Sequence, residues 1–488
     1  MPPAADTYDV ERQRCTALAE RMLLGDWYQD LIVELAQFLA PEVLQRMTHP
    51  DITRNTLKTF SVGQNVLYTE PPTVTAGNVD LGAILRPELW PLRQRGNLMT
   101  VGLRDSFMRL DWYEGIGVSY RVVSPSYISE AWATPERPDT PVGLREMRLR
   151  RHAGHPTWTR DTWDVSNPAA PIFKIEVQDA QSKWADVTQQ HMPKLAPGAY
   201  PYMRGDTPIF PWVMHHAEIS DCIWHWNERR ELIDGTLKVG CLWTMWIHGV
   251  RDCAHPQRVG LDVEAPQATG TDALRPVDKI AMDQAAILLL RSVTGRNGSI
   301  NTLAPGMDPK AMAEAILAYE AGQAQAAGLS AADVQVGGTN GMSGYAIVVS
   351  RDGQRRAWGA QKPAALMGDQ LLLATAAKLS NAYGGTALPE SPGDYQIAYA
   401  EMGRTADEIK GELDEVQKLV DAGLMGPIDA MIAVYPQLDY DGAVSRLVDI
   451  AKQKMLVAQI NASVGATSAN KDAPPSPSPP PTSPESSP

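Results

Sequence analysis

The hydrophobic period of this 488-residue chain changes from helical to alternating near Gly115 and stays so until about Phe210. Alternation at period two builds a sheet with one face in the core and cannot be laid on a helix, so this stretch is committed to strands. Val118-Ser-Tyr-Arg-Val-Val123, Arg145 to Arg151 and Ile172-Phe-Lys-Ile-Glu-Val177 all alternate, and proline and glycine punctuate the gaps. They read as antiparallel strands and turns. Arg145, Arg148, Arg150 and Arg151 form either a phosphate patch or the solvated face of a strand.

Helical patterns flank this sheet, which makes the fold class α+β. Residues 10–50 read as helices, followed by Ile52–Gln64 and then 91–112. The stretch 216–247 reads as one long helix with Ile219, Cys222, Ile223, Trp226 and Arg230 on one face. Gly235 and Gly240 weaken it, so its C-terminal half is open to a strand reading. Residues 250–305 return to short β elements, with Ala285–Leu290 the best strand candidate. Asp308-Pro309 is an N-cap followed by proline at the first helical position, and Gly328 stops that helix.

Residues 336–344 are too rich in glycine for regular structure. A strand over Tyr345–Ser350 follows, then a helix from about Gln354 to Tyr383 with Pro363 inside it, where proline kinks a helix or marks its start. Thr405-Ala-Asp-Glu408 is a capping box, with Ile409, Leu413, Val416 and Val420 the apolar stripe and Gly423 the stop. Two more helices run to about Ile460. From Pro474 to Pro488 there are eight Pro, five Ser, one Thr and one Glu, which is the composition of a disordered tail.

Composition narrows the function. With 44 basic and 57 acidic side chains the formal charge is −13, which argues against a body that grips nucleic acid by neutralising phosphates. It does not exclude a protein past which DNA must slide. No window approaches the roughly 18 unbroken apolar residues of a membrane span. The N-terminus has three acids among its first fifteen residues and no apolar core of a secretory signal. Four cysteines, at 15, 222, 241 and 253, are too sparse for a disulfide framework. These features together predict a soluble chain of the cytosolic type, with no membrane partner.

Signals for catalysis are weak. Cys241, His248, Cys253 and His255 are four zinc-ligand types within fifteen residues, but their spacing departs from the pairs two to four apart of structural zinc sites. His215-His216 lacks the H-E-x-x-H geometry. Gly341-Met-Ser-Gly-Tyr345 fails as a nucleophile elbow, because Tyr345 stands where the second glycine belongs. No phosphate-binding G-x-x-x-x-G-K-[ST] occurs, and the acids are dispersed.

Several segments, in order, resemble the portal proteins of tailed bacteriophages, siphophage-like ones in particular, over most of residues 8–463. Arg54–Pro72 is similar to the portal segment in which a helix leads into a proline turn. Tyr202–Pro211 resembles the proline-bounded approach to the long helix, and Glu231-Leu-Ile-Asp-Gly235 the helix running toward the tunnel. Ile300–Gly306 precedes an amphipathic helix ending Ala327-Gly-Leu-Ser330, then come the glycine-rich loop, Ser343–Ile347 and Arg355-Arg356. That succession resembles stem helix, tunnel loop and tunnel helix.

The resemblance implies a ring subunit with a helical then β wing (1–215), a stem helix (216–247), a β-rich clip (248–306) and a second stem helix (307–330). A tunnel loop and wing strand (331–353), a tunnel helix (354–390), a crown (391–465) and a disordered Pro/Ser-rich tail (466–488) complete it. It implies a homo-oligomeric ring, a dodecamer, at a unique capsid vertex of the virion, assembled in the host cytoplasm, with no active site, cofactor or metal. Double-stranded DNA would pass through it during packaging and ejection. The terminase large subunit, the head–tail adaptor, the major capsid protein and a scaffolding protein would be its partners, and it would nucleate the procapsid.

Gly337, Gly338, Thr339, Asn340, Gly341, Met342, Ser343 and Gly344 would be the tunnel loop, with Asn340 and Met342 closest to DNA. Arg351, Arg355 and Arg356 would touch the DNA backbone weakly. The bland alternatives are a surface hairpin turn for the loop and arginines solvated or paired with Asp352. An acidic ring wall suits a conduit, since it leaves DNA hydrated and mobile, and the span 404–454 holds ten acids against six bases. Trp224, Trp226, Trp243 and Trp246 cannot all face one core at helical spacing, so some are expected against a neighbouring copy. Two competing readings stand beside the portal: a metal-dependent enzyme built on Cys241, His248, Cys253 and His255, and a small-oligomer module whose glycine-rich loop holds a ligand.

Overall fold

The computed structural model describes residues 5–41, 44, 50–152, 154–178, 183–224, 229–254, 257–261, 287–290, 299–303, 308–327, 352–400, 406–435 and 438–469. These are mixed helix and sheet, as the α+β expectation requires. They fall into two compact units, the second of which holds the helices after residue 404.

Helix α1 (Ala5–Leu24) ends on Gly25, whose φ of +84° lets Asp26 N–H reach back to the Arg21 carbonyl at 2.8 Å. Helix α2 (Tyr28–Leu35) follows, then α3 (Thr56–Gln64), capped by the Asn55 side chain accepting from Lys58 N–H at 2.8 Å. Strand β1 (Thr73–Thr75) leads to α4 (Leu89–Leu103). Here the expected helix over 91–112 is corrected. It stops at Leu103, Arg104 adopts φ +73°, and β2 (Asp105–Tyr113) begins at once.

The reason is tertiary. Strand β2 is the middle of a three-stranded antiparallel sheet, between β3 (Gly117–Val123) and a strand a hundred residues later. It is buried on both faces, so it lacks the alternation by which a strand is recognised. The antiparallel strands β4 (Ile128–Thr134), β5 (Arg137–His152), β6 (His155–Asp164), β7 (Ile172–Gln178) and β8 (Trp184–Asp186) form a second sheet in chain order. The short α5 (Thr188–His191) and the pair β9 (Met203–Arg204) and β10 (Thr207–Pro208) lead to β11 (Trp212–His216), the outer partner of β2.

The expected helix over 216–247 is therefore displaced. Its first residue closes a strand, and helix α6 runs from Arg230 to Ala254. The strand reading for its C-terminal half is also overturned, because both glycines lie where other side chains come close. A Cβ on Gly240 would sit 2.8 Å from the Trp27 ring and 3.1 Å from Leu31, and one on Gly235 2.0 Å from the Gln323 amide. Trp27 and Leu31 are fully buried and cannot swing aside. Gly240→Val should therefore cost about 2 kcal/mol by overpacking. Gly322→Ala, where an added Cβ meets nothing, should gain about 0.5–1 kcal/mol of helix propensity. Urea unfolding of the two variants checks both signs.

Strands β12 (Gln257–Leu261), β13 (Ile287–Leu290) and β14 (Ser299–Leu303) make a third sheet, with β12 central, parallel to β13 and antiparallel to β14. Helix α7 (Pro309–Ala326) starts as expected, with Asp308 accepting from Lys310 and Ala311 N–H. Helix α8 (Asp352–Gly384) runs unbroken through Pro363. The carbonyl that loses its helical bond belongs to Gly359, which is exposed to water. Strand β15 (Gln396–Ala398) pairs with β1.

In the second unit, α9 (Ala406–Asp421) ends at Gly423, whose φ is +70°, with Leu424 N–H on the Leu419 carbonyl. Helix α10 (Pro427–Val434) and α11 (Tyr440–Ala469) complete it. Helix α11 enters the stretch expected to be tail, 466–488, by four residues; 470–488 lie outside the described residues, as does the strand expected at 345–350.

The three-stranded sheet is the middle layer of the first unit. Met108, Leu110, Val118, Tyr120 and Val213 pack on Leu372, Leu373, Ala376 and Leu379 of α8. From the opposite face Phe107, Val123, Trp212 and Met214 meet Leu144, Trp163, Phe173 and Ile175 of the five-stranded sheet. A third cluster joins Met22, Trp27, Leu31, Leu57 and Phe60 to Leu232, Ile233 and Cys241 of α6.

Candidate functional site

Helices α6 and α7 pack antiparallel, with the third sheet between them in sequence. Trp243 Nε1–H donates to Glu320 Oε1 at 2.6 Å, and Trp246 Nε1–H donates to the Pro309 carbonyl at 2.7 Å. The two indoles meet edge-on at 5.2 Å, and the Arg54 guanidinium lies 5.2 Å over Trp243 and 3.7 Å from Glu320. Trp224, outside any helix, packs edge-on to Phe107 at 5.6 Å beneath the Arg12 guanidinium at 3.7 Å. Trp224, Trp243 and Trp246 thus each find a ring or hydrogen-bond partner within the chain. Trp226 lies outside the described residues.

At 1.5 Å per residue the 33-residue α8 is about 50 Å long. It is fixed at three places. Gln361 Nε2 donates to the Gln64 carbonyl at 3.0 Å, and Met203 N–H donates to Tyr383 Oη at 2.8 Å. Between them Asp369, fully buried, accepts from Arg93 Nε at 2.7 Å, Tyr68 Oη at 2.6 Å and Tyr399 Oη at 2.7 Å. Arg93 also donates to Tyr68 Oη at 2.7 Å.

Burial of Arg93 opposes its charge, but the Asp369 carboxylate outweighs this and holds the guanidinium above its ordinary pKa. Burial pushes both tyrosines upward, Asp369 adding to it. His215, 4.0 Å from Asp369, is held well below its ordinary value by burial and by the Arg93 charge, so it is neutral. Its ring occupies the space that a Cβ on Gly368 would need.

Residues 337–344 and Arg351 lie outside the described residues, so the loop of Gly337, Gly338, Thr339, Asn340, Gly341, Met342, Ser343 and Gly344 has no geometry to report. Arg355, half-buried, and Arg356, exposed, lie near the N-terminus of α8.

Among the would-be zinc ligands, Cys241 lies in the apolar cluster between α6 and the N-terminal helices, and burial raises its thiol to about 11. His248 is two turns further along the same continuous helix, about 10 Å by helical rise. The Cys253 side chain and His255 lie outside the described residues. Among the described residues no three His, Cys, Asp or Glu side chains gather as a metal site requires. His216 is a structural clamp. Burial opposes its charge, but Nδ1 at 2.8 Å from Asp105 and Nε2 at 3.1 Å from the Asp139 carbonyl hold it above its ordinary pKa.

Reading the sequence missed the Asp369 network, whose members are separated by up to 331 positions and share no motif. No described helix is long and apolar enough to cross a membrane. No protein-family model matches the chain, and no curated protein matches it either.

Proposed function

We propose that this chain is the subunit of a homo-oligomeric portal ring, a structural conduit for double-stranded DNA with no active site of its own. One observation carries the reading: the order of elements along the chain. Two antiparallel packed helices, α6 and α7, flank a small sheet in sequence. A long helix then lies against the middle sheet of the first unit, and a separate three-helix unit closes the chain. In that order they fit stem, clip, tunnel helix and crown, with the corrected stem helix at 230–254 and the crown helices at 406–469.

The physics of a conduit supports the same reading. A rod pinned at Gln361, Asp369 and Tyr383 can carry the loop that precedes it under load. The acidic chain keeps DNA from sticking. On this reading the sheet of β12, β13 and β14 is the docking surface for the terminase large subunit and the head–tail adaptor. The wing and crown meet the major capsid protein and scaffold, and the protein resides at the virion's portal vertex.

Native mass spectrometry and negative-stain imaging of the purified chain test it. Twelve copies of a 53.3-kDa chain weigh about 640 kDa and should appear as a ring with a central hole. A particle of one or two chains without a bore overturns the proposal. Stoichiometric zinc in the same sample would favour the metalloenzyme reading instead.

A further inference from the structure

The arginine run of β5 does not lie on one face. Glu146, Arg148, Arg150 and His152 alternate onto the side that meets the three-stranded sheet, and Arg145, Leu149 and Arg151 onto the other. On the inner side Arg109 and Arg121, cross-strand neighbours on β2 and β3, reach across to them. Arg109 donates to Glu146 at 3.0 Å and to Asp111 at 3.0 Å, and it lies 3.9 Å from Asp161. Arg121 Nη2 donates to Glu146 at 2.8 Å, and Arg150 pairs with Asp161.

Four guanidinium groups, those of Arg109, Arg121, Arg148 and Arg150, thus face three carboxylates, those of Asp111, Glu146 and Asp161. Every carboxylate is engaged by an arginine other than Arg148. Among the described residues Arg148, half-buried, has neither a hydrogen bond nor an ion pair from its guanidinium. Two more polar atoms along this row lack partners: Arg121 Nε and, at the far end beside Arg150 and His152, His191 Nε2. Burial and then the charges of Arg121 and Arg109 push the Arg148 guanidinium below its ordinary pKa, against a smaller opposing pull from Glu146.

We propose that this inter-sheet row is an oxyanion site of the phosphate class, in which Arg148 supplies a bidentate guanidinium and Arg121 flanks it. A tetrahedral oxyanion supplies the negative charge that the protein leaves out, and a guanidinium fork matches two of its oxygens. The site does not depend on ring formation.

The test is thermal unfolding and calorimetric titration of the full chain with inorganic phosphate, at ionic strength matched with chloride. Phosphate should raise the melting temperature saturably. Arg148→Gln should melt higher than the parent without phosphate, since it removes the repulsion, and should bind phosphate at least tenfold more weakly. Arg151→Gln, on the opposite face, should behave as the parent does. Equal responses to phosphate and chloride in the parent, or an undiminished phosphate response in Arg148→Gln, overturns the proposal. If Arg148→Gln does not fold, the prediction that it is the more stable protein has failed and the proposal falls with it. A short DNA duplex that displaces phosphate assigns the site to nucleic-acid phosphates, and one that does not assigns it to the free oxyanion.

Discussion

Asp369→Asn should destabilise the first unit by about 3–5 kcal/mol, because it strands the Arg93 guanidinium, 1% exposed, without a counter-charge. The asparagine keeps the shape and one acceptor for Arg93 Nε, so the loss isolates charge from packing. Urea midpoints at fixed protein concentration measure it. Adding Arg93→Met to Asp369→Leu should recover most of the stability, since an apolar pair in place of a buried ion pair is often neutral. A loss below about 1 kcal/mol for the single variant would mean that water reaches Arg93.

The same network sets an alkaline limit. Tyr68 and Tyr399 have folded pKa values above the ordinary value of about 10. Their contribution is complete below pH 10 and is lost as pH rises beyond it, because the unfolded chain ionises these phenols first. The urea midpoint should therefore fall from about pH 10 upward.

Arg109→Met is expected to be as damaging, by a different route. The side chain, 9% exposed, lies 5.0 Å from the Trp163 ring and 5.4 Å from Trp212 while serving Asp111 and Glu146 and neighbouring Asp161. Its loss leaves Glu146 and Asp161, 2% and 0% exposed, with Arg121 and Arg150 as their remaining cations. About 3–5 kcal/mol should go, together with the cation–π contacts that bridge the two sheets. Glu146→Gln introduced into Arg109→Met should cost less than Glu146→Gln in the parent, the difference being the coupling energy read from a double-mutant cycle. Strict additivity would show that the two side chains act independently.

What could be read in advance was local chemistry. Asp308-Pro309 and Gly423 marked helix ends because capping needs only residues within a turn of one another. Strands β3, β5 and β7 were legible from alternation, since one face of each is more open than the other. Strand β2 was not, because burial on both faces erased its period, and the reading ran α4 straight through Arg104. Gly235 and Gly240 were misread as helix weakness, when their role is to let Gln323 and Trp27 approach. Likewise the arginine run showed its composition in sequence. Which arginines shared a face with Glu146, and which of them lacked a carboxylate, depended on the pairing of β5 with β6 and its approach to β2.

The layering around β2 sets a timetable for biosynthesis. Its outer strand partner is some hundred residues downstream and the helix that covers its other face later still, at 352–384. At translation rates of about 5–20 residues per second, Met108 and Leu110 emerge on the order of 15–50 s before Leu372 and Leu373 can shield them. Over that interval the nascent chain displays an uncovered apolar sheet surface to the cell. Productive yield should accordingly rise with holdase chaperones and at lower expression temperature.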